Sequence, residues 1–447
     1  MNRTWKVLTA SAVLATSLSI APMTSAKATG GHFTGSLADG STWVADVPAS
    51  WNGTLLLYSH GFGITTPMDA PSPAVGTALL ARGYALAGSS YAPGSLWALG
   101  SAVDDQLGTA AAVRDIIGRP RHTIAFGTSM GGLISALLGE TNRIDGALTT
   151  CGIVAGGADL NNYQLDAEYA LAALLAPGQT VQLTGYATPD AAGATGARLT
   201  GLVQDAQGTS AGRARIALAA ALINQSAWFP GMAKPAPGDF AGQEAQQFQW
   251  LTTGNVLNFV VGGRYWIEFA AGGDSGWTAG VDFAGLLRRS THLREVRALY
   301  QSAGLDLRAD LATLTRGAAI RGDRSALAWM LRTSVPTGRL RVPELDIHTV
   351  SDQLVPVEQE NRYARRVAAA GASALLRQAY VDRPGHCNFT TTELVAATDA
   401  ILHRVATGRW DDVATPASLN RAAAAAGPDG AAYLPYRPPA LVTQPVR

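Results

Sequence analysis

A surplus of either charge is missing from this sequence. Its 447 residues include 34 Lys and Arg and 33 Asp and Glu, and acids and bases are mixed along the chain. Chains that bind nucleic acid or acidic polymers usually carry a basic stretch or a basic surplus. We therefore expect no nucleic acid among the partners. The length exceeds that of one ordinary domain, although one catalytic domain with a large insertion would account for it.

Ligand sets for metals and phosphates are missing as well. No group of Cys and His residues has the spacing of a metal site, and no glycine-rich loop has the pattern of a phosphate cradle. We predict neither a metal nor any other cofactor. Chemistry in this chain is then expected from ordinary side chains.

Long apolar runs are confined to the N-terminus. A run of Ala, Leu, Val and Ser covers about 7–21, follows Arg3 and Lys6, and is closed by small residues at 24–28. The run is short for a membrane-spanning helix and is interrupted by Ser and Thr. This order is typical of a cleaved signal peptide, and the alternative is an uncleaved anchor. We predict that residues 1–28 are removed and that the protein is secreted, extracellular or in the cell envelope, with no stable membrane span.

Cysteine is scarce, because only Cys151 and Cys387 are present. In an exported chain a single pair of cysteines is a candidate disulfide. The alternative is a pair of buried free thiols. The choice between them depends on where the fold places their neighbours.

The first part of the chain alternates strand and helix patterns. Continuous apolar runs after turn signals predict strands at 53–59, 84–89, 122–126 and 147–151. Helical spacing lies between these strands, most clearly over 103–117. The alternation predicts the α/β class, with a mostly parallel sheet and helices on both faces.

Between about residues 157 and 340 the strand patterns stop. This stretch consists of helix-like and loop-like segments rich in Ala and Gly. It also gathers eight aromatic residues, which are Trp228, Phe229, Phe248, Trp250, Tyr265, Trp266, Phe269 and Trp277. Packing of an inserted subdomain would explain them, and the alternative is that some of them line an apolar or aromatic acyl pocket.

Strand patterns return after residue 343. Strands are predicted at 343–349 and about 376–381, and each is followed by a helix, at about 357–370 and 392–405. The simplest organisation is one catalytic domain that is split by an inserted cap. The predicted parts are a first core segment at 29–156, the cap at 157–340, a second core segment at 341–413 and an extended Pro- and Ala-rich tail at 414–447.

The pattern G-x-S-x-G occurs at 127–131, between a predicted strand and a predicted helix. In that setting the chain turns sharply, and the flanking glycines allow its backbone to crowd together. The serine hydroxyl is then held out at the carboxyl edge of the sheet. We predict that Ser129 is a nucleophile, and the alternative is an ordinary tight turn.

Three further segments complete a resemblance to a known superfamily. They are Ser-His-Gly-Phe-Gly at 59–63, Ser-Asp-Gln-Leu-Val-Pro at 351–356 and Pro-Gly-His-Cys at 384–387. Over about 31–156 and 340–413 the chain resembles the α/β-hydrolase superfamily, specifically its secreted bacterial esterases and prolyl-oligopeptidase-like enzymes. That fold orders its residues Ser, then Asp or Glu, then His. The resemblance implies an α/β-hydrolase fold with a mainly helical cap inserted before the strand that leads to the acid.

Asp352 and His386 are the candidates for the acid and the base. Asp352 follows the predicted strand at 343–349, where the family keeps its acid, and would hold the histidine in the right tautomer. The alternative is that Asp352 only caps the next helix. Asp346 is a weaker candidate because it lies inside a strand, and Asp382 because it is too close to the histidine loop. Among the seven histidines, only His386 has both the required order and a loop position, and the alternative is a surface histidine.

The loop after the first predicted strand resembles the oxyanion loop of the family. Two backbone N–H groups are needed where negative charge develops on the carbonyl oxygen. The resemblance implies that Met130 supplies one of them and that Phe62, or else Gly61, supplies the other. His60 is expected to be a structural hydrogen-bonding residue. Trp97 is our candidate for the substrate pocket, because its loop follows a strand at the catalytic edge.

Both cysteines lie beside this predicted site. Cys387 directly follows His386, and Cys151 ends the strand expected next to the one that carries Ser129. The arrangement resembles one in fungal tannases and feruloyl esterases, where a disulfide joins the residue before the serine to the residue after the histidine. Here Thr128 precedes Ser129, so the bond would come from the neighbouring strand. We predict a disulfide that ties the histidine loop to the sheet.

These residues predict a secreted serine hydrolase that cleaves a small-molecule carboxylic ester through an acyl-enzyme. An ester is favoured over a peptide because esters need less help for the leaving group, and because the sequence has no evident acidic cluster for a peptide amino terminus. A serine peptidase is the main alternative. A non-catalytic surface binding protein on a hydrolase scaffold is another. Specificity is expected to depend on the cap, which matches no family known to us.

Overall fold

A computed structural model of the protein describes residues 30–444, so the predicted signal peptide at 1–28 lies outside the described residues. Within this part of the chain nine strands form one sheet. The strands are β1 (Gly31–Ser36), β2 (Thr42–Val47), β3 (Thr54–Ser59), β4 (Ala85–Ser89), β5 (His122–Thr128), β6 (Gly146–Thr150), β7 (Glu344–Ser351), β8 (Leu376–Pro384) and β9 (Tyr433–Leu434).

The order of the strands across the sheet is β1-β2-β4-β3-β5-β6-β7-β8-β9. The six strands from β4 to β8 in this order run parallel to one another, and the pairs β1–β2, β2–β4 and β8–β9 are antiparallel. The carboxyl ends of the parallel strands therefore meet at one edge of the sheet. In parallel α/β sheets this edge carries the ligand sites.

Fifteen helices accompany the sheet in residues 30–444. Those before β7 are α1 (Pro73–Ala81), α2 (Ala102–Ile117), α3 (Met130–Gly139), α4 (Gly157–Leu175), α5 (Pro189–Ala206), α6 (Ser210–Leu222), α7 (Phe240–Leu251), α8 (Val256–Ala271), α9 (Phe283–Arg289), α10 (Leu293–Ser302), α11 (Leu307–Gly317) and α12 (Arg324–Thr333). Those after β7 are α13 (Glu358–Ala369), α14 (Thr391–Thr407) and α15 (Pro416–Ala426). No helix in the described range has the length and apolar character needed to cross a bilayer.

Helices cover both faces of the sheet. Every residue of β3 is buried, which is typical of a central parallel strand. Leu56 of this strand packs in a cluster with residues of α1, α14 and α15 on one face. Leu55 and Leu57 pack in another cluster with residues of α2 on the opposite face. The predicted α/β fold with a mostly parallel sheet is confirmed.

Nine of the helices described, α4 to α12, lie between β6 and β7. They occupy the stretch in which the sequence shows almost no strand patterns. Residues of α4 and α8 pack near the carboxyl end of β5. This helical insertion is therefore placed where it can contribute to a site at that edge.

The prediction began the sheet at residue 53 and missed β1 and β2. His32 lies in β1 and is paired with Asp46 of β2. A signal was present, because Trp43, Ala45 and Val47 alternate with more exposed residues and are buried. These antiparallel strands have one exposed face, so they lack the continuous apolar run that marked the central strands.

The predicted extended tail at 414–447 contains a helix over 416–426, which corrects the prediction for that part of the chain. Helix α15 begins after Thr415, whose hydroxyl accepts a hydrogen bond from the Ser418 N–H, and Pro416 occupies its first turn. Proline is favoured there because its missing N–H would have no partner, and Ala has the highest helix propensity. Leu419 and Ala423 are buried against the core, so the same composition that indicated a loose tail forms a packed helix.

Candidate active site

Ser129 lies at the sharp turn between β5 and α3. Its φ is +61°, a value that non-glycine residues rarely adopt. A Cβ on Gly127 would lie 1.9 Å from the Gly131 carbonyl oxygen, and a Cβ on Gly131 would lie 1.9 Å from the Ser59 carbonyl oxygen. Glycine is therefore required at both positions for the backbone to pass through this turn.

Three predicted residues from three separate segments meet at the carboxyl edge. The His386 Nε2 lies 2.8 Å from the Ser129 Oγ, and the His386 Nδ1 lies 2.6 Å from an oxygen of Asp352. Asp352 follows β7, and His386 follows β8. When His386 donates through Nδ1 to the carboxylate, its Nε2 is free to accept the proton of the Ser129 hydroxyl.

The sharp turn at Ser129, the acid after β7 and the histidine after β8, together with the strand order, identify the fold. The chain has the α/β-hydrolase fold.

In this fold the Asp352 carboxylate is fully buried, and both of its oxygens have hydrogen-bonding partners. One of its oxygens accepts hydrogen bonds from the N–H groups of Leu354 and Val355, at 2.9 and 2.8 Å. The other faces His386 and also lies 3.5 Å from the Nε2 of His348. Burial by itself would raise the pKa of Asp352, but the two histidines lower it well below its usual range. The carboxylate is thus held in its ionised form.

Sequence reasoning missed the second histidine at this acid. His348 lies within β7, and its buried ring lies between Asp352 and Glu360. Its Nδ1 is 2.7 Å from the Glu360 carboxylate, and its Nε2 is 2.7 Å from the Val355 carbonyl oxygen. The position of His348 within a strand did not indicate its contact with Glu360, because Glu360 comes from the following helix α13.

The two weaker acid candidates lie away from the histidine. Asp346 is buried and accepts a hydrogen bond of 2.7 Å from the Thr149 hydroxyl, and burial raises its pKa to about 6. Asp382 is more exposed and pairs with Lys234 at 3.2 Å. Neither carboxylate contacts His386 within the described residues.

The loop after β3 passes directly beside the serine. A Cβ on Gly61 would lie 3.4 Å from the Cβ of Ser129. The His60 side chain is buried, its Nδ1 lies 2.9 Å from the Gly61 carbonyl oxygen, and its ring packs on that of Tyr91 at 4.2 Å between centroids. The Tyr91 hydroxyl also donates to the His60 carbonyl oxygen at 3.0 Å. His60 therefore has the position of a structural brace for this loop.

Two backbone N–H groups are available next to Ser129. Met130 is the first residue of α3, where the N–H has no acceptor within the helix. The N–H of Phe62 donates to no other backbone group within residues 30–444. Both residues belong to segments that border the serine, as an oxyanion site requires.

A mostly apolar cavity opens at Ser129 and His386. It contains about 440 Å³ of space without atoms, including the part that is open to solvent. Its other lining residues are Phe62, Trp97, Ile153, Leu160, Gln164, Phe259, Val260, Gly263, Ile267, Leu354 and Val355. The core and the helical insertion thus form its wall together.

Trp97 lies in this wall, as the sequence indicated for a pocket residue. Its side chain is buried, and its indole N–H donates to the Ser334 hydroxyl at 3.2 Å. None of the eight aromatic residues noted in the insertion lines this cavity within the described chain. Phe259, which sequence reasoning missed, does so, and its ring meets Phe62 edge-on at 5.8 Å. No local signal distinguished Phe259 from its aromatic neighbours.

Cys151 and Cys387 are joined by a disulfide. Their Cα atoms are 5.3 Å apart, and 236 positions separate them in the sequence. Cys151 directly follows β6, so the bond comes from the strand next to the one that leads to Ser129. The Cys387 Sγ lies 3.3 Å from the His386 Nε2. The disulfide therefore anchors the histidine loop at the site itself.

We expect the Cys151→Ala/Cys387→Ala double variant to lose both stability and activity. A loop of this length corresponds to about 5 kcal/mol of chain entropy, although measured values are often smaller. The melting temperature should fall by several degrees, and kcat should fall because His386 is held less closely. Differential scanning calorimetry and steady-state kinetics measure the two effects, with the reduced wild type as control. A double variant with wild-type melting temperature and kcat would contradict this role.

No known family model matches the chain. It is 28% identical over 417 residues to the o-phthalyl amidase of Xanthobacter agilis, covering 88% of this chain and 90% of that protein. The chain is also similar to solved structures of lower identity. Feruloyl esterase B from Aspergillus oryzae is 12% identical with a TM-score of 0.38, over 85% of this chain and 80% of that one.

A further similar structure is an acylaminoacyl peptidase of Pyrococcus horikoshii. It is 10% identical with a TM-score of 0.35, over 80% of this chain. The chain spans only 37% of the length of that peptidase. The match to the amidase, in contrast, extends over nearly the full length of both proteins.

Proposed function

We propose that this protein is a serine hydrolase that cleaves an ester or an amide of an apolar carboxylic acid through an acyl-enzyme. The observation that carries the proposal is the hydrogen-bonded series Ser129–His386–Asp352 at the mouth of an apolar cavity. A nucleophile, a base and an oriented acid within hydrogen-bond reach are the parts that acyl transfer requires.

In the proposed reaction His386 accepts the Ser129 proton while the Ser129 oxygen attacks the substrate carbonyl carbon. The N–H groups of Met130 and Phe62 stabilise the negative charge on the carbonyl oxygen. The bond to the leaving alcohol or amine breaks as His386 returns the proton to it. Water then attacks the acyl-enzyme with His386 again as base, which releases the acid and restores Ser129. Asp352 orients the histidine throughout and stabilises its charged form.

The acyl group is the part that we place in the apolar cavity. Phe62, Trp97 and Phe259 contribute aromatic surface there, and such walls favour flat apolar groups. The relative named o-phthalyl amidase supports an aromatic acid and adds amides to the esters that the sequence favoured. No carboxylate lines the cavity in the described part of the chain, so no group there would hold the ammonium of a peptide.

Two measurements test the proposed function. A fluorophosphonate probe should label the protein at Ser129, as peptide mass spectrometry would show. A panel of 4-nitrophenyl acetate, butyrate and benzoate, with the matching 4-nitroanilides, should show turnover and identify the preferred bond. Absence of labelling and of turnover across the whole panel would refute the proposal and favour a non-catalytic binding protein.

Gly263 of α8 offers a test of where the acyl group binds. Gly263 lines the cavity and a Cβ there would meet no atom within 4 Å, so we expect the side chain of Gly263→Leu to narrow the cavity. We expect kcat/KM for 4-nitrophenyl benzoate to fall roughly tenfold or more, while that for the acetate changes little. Gly262→Leu is the matched control, because Gly262 has equally open surroundings but does not line the cavity. Equal effects of both variants on both esters would contradict this placement.

Secretion is a further proposal. The N-terminal pattern of residues 1–28 supports it, and a disulfide is typical of proteins that fold in oxidising compartments. Expression of the full chain in a bacterial host should yield mature protein in the medium or envelope, with its new N-terminus near residue 28. Retention of an intact N-terminus in the cytoplasm would contradict it.

A further inference from the structure

One polar side chain stands out in the wall of the apolar cavity. Apart from Ser129 and His386, the lining groups are apolar except for the Trp97 indole and the Gln164 amide. The indole N–H is already bound to the Ser334 hydroxyl. Gln164 lies on α4, one turn after Leu160, which lines the same cavity. Gln164 is therefore the candidate recognition group in the cavity.

The amide of Gln164 has no partner within the protein. The residue is only 6% exposed, yet its side-chain amide makes no hydrogen bond to any group in residues 30–444. Its neighbours on the helix differ, because Asn161 donates to the Ser275 hydroxyl and Asn162 to the Ala158 carbonyl oxygen. Buried polar groups in native proteins are nearly always hydrogen-bonded, and exceptions are frequent at functional sites. An unpartnered amide in a cavity wall beside Ser129 is suited to a ligand.

The charges around the cavity restrict the chemical nature of a ligand group that binds Gln164. No cationic side chain lines the cavity within the described residues. Arg264 follows Gly263 in α8, but its side chain is fully buried and pairs with Glu168 at 2.9 Å. A carboxylate deep in the cavity would have no opposite charge, and burial of an unpaired charge is strongly unfavourable. A neutral group that donates or accepts a hydrogen bond meets no such obstacle.

We propose that Gln164 is a specificity residue that binds a neutral hydrogen-bonding substituent, a hydroxyl or a carboxamide, on the aromatic or apolar acyl group of the substrate. This inference rests on the proposed function and narrows its substrate class. The amide of glutamine both donates and accepts, so it serves either substituent. A site built to hydrogen-bond a substituent rejects the analogue that lacks it, because its polar group is then left unpaired.

The test compares matched substrates on matched variants. The substrates are 4-nitrophenyl benzoate and its hydroxy-, carboxamido- and carboxy-substituted forms at each ring position. In the wild type the best hydroxy or carboxamido ester should exceed the unsubstituted ester in kcat/KM. Gln164→Met keeps the length of the side chain and removes the amide, so it should lower this preference roughly ten- to a hundredfold. Gln164→Leu is a second variant if the first folds poorly, and Leu160→Ala, which only enlarges the cavity, should change all the esters alike.

A binding measurement separates this inference from the proposed reaction. Calorimetric titration of the Ser129→Ala protein with benzamide and with its hydroxy- and carboxy-substituted forms needs no turnover. The best hydroxy form should bind more tightly than benzamide, and the preference should vanish when Gln164→Met is added. An equal loss for all ligands, or a preference for the carboxy form that survives in Gln164→Met, would overturn the inference. Failure of the reaction itself would instead appear as absent fluorophosphonate labelling, with the binding preference intact.

Discussion

We expect the Ser129→Ala variant to fold normally and to lose on the order of 10⁶ in kcat. The side chain is small and lies at the surface of the cavity, so its removal leaves the packing of the turn intact. The only oxygen within hydrogen-bond distance of the His386 Nε2 in the described chain is the Ser129 Oγ. Without it no acyl-enzyme forms, although the oxyanion N–H groups and the cavity remain.

Active-site titration and steady-state kinetics on the preferred ester measure this loss, and circular dichroism checks the fold. Ser135→Ala is the matched control, because Ser135 is a buried serine of the same helix α3 that does not line the cavity. It should keep near wild-type kcat. A Ser129→Ala protein with turnover close to the wild type would remove Ser129 from the mechanism.

The second large effect is expected from Asp352→Asn, which should lower kcat by roughly 10⁴. The carboxylate accepts a hydrogen bond from the His386 Nδ1–H at 2.6 Å and thereby fixes the tautomer of the ring. An amide in its place can present N–H to the ring, which stabilises the tautomer that cannot accept the proton of Ser129. His348 lies on the other side of the same carboxylate, so the variant also removes one of the two carboxylates beside this buried histidine.

Asp346→Asn and Asp382→Asn are the controls for this prediction. Asp346 is as deeply buried as Asp352, so its substitution changes an equally buried carboxylate. Asp382 lies at an exposed position. Both should alter kcat far less than Asp352→Asn, measured on the same ester with melting curves recorded in parallel. A loss at Asp382→Asn that exceeds the loss at Asp352→Asn would require a different acid.

The local patterns of the sequence were sufficient to predict the central strands and the sharp turn at Ser129. Continuous apolar runs marked β3, β4, β5 and β6, because these strands are covered on both faces. The glycines around Ser129 marked the turn, because the backbone approaches itself there within a few residues along the chain. Asp352 and His386 followed from their order and from their place after strands, since parallel strands bring their carboxyl ends to one edge.

The tertiary structure decided the contacts between segments that are distant in sequence. Phe259 and Gln164 line one cavity with Ser129, although neither lies in a motif, because the helical insertion folds back over the core. His348 meets Glu360 only because α13 packs next to β7, and α15 forms because Leu419 and Ala423 find an apolar surface. Sequence patterns report on near neighbours along the chain, whereas burial and partner choice depend on which surfaces the whole chain brings together. The chemistry at Ser129 was therefore readable from the sequence, and the shape and polarity of the cavity beside it were set by the packing of α4 and α8.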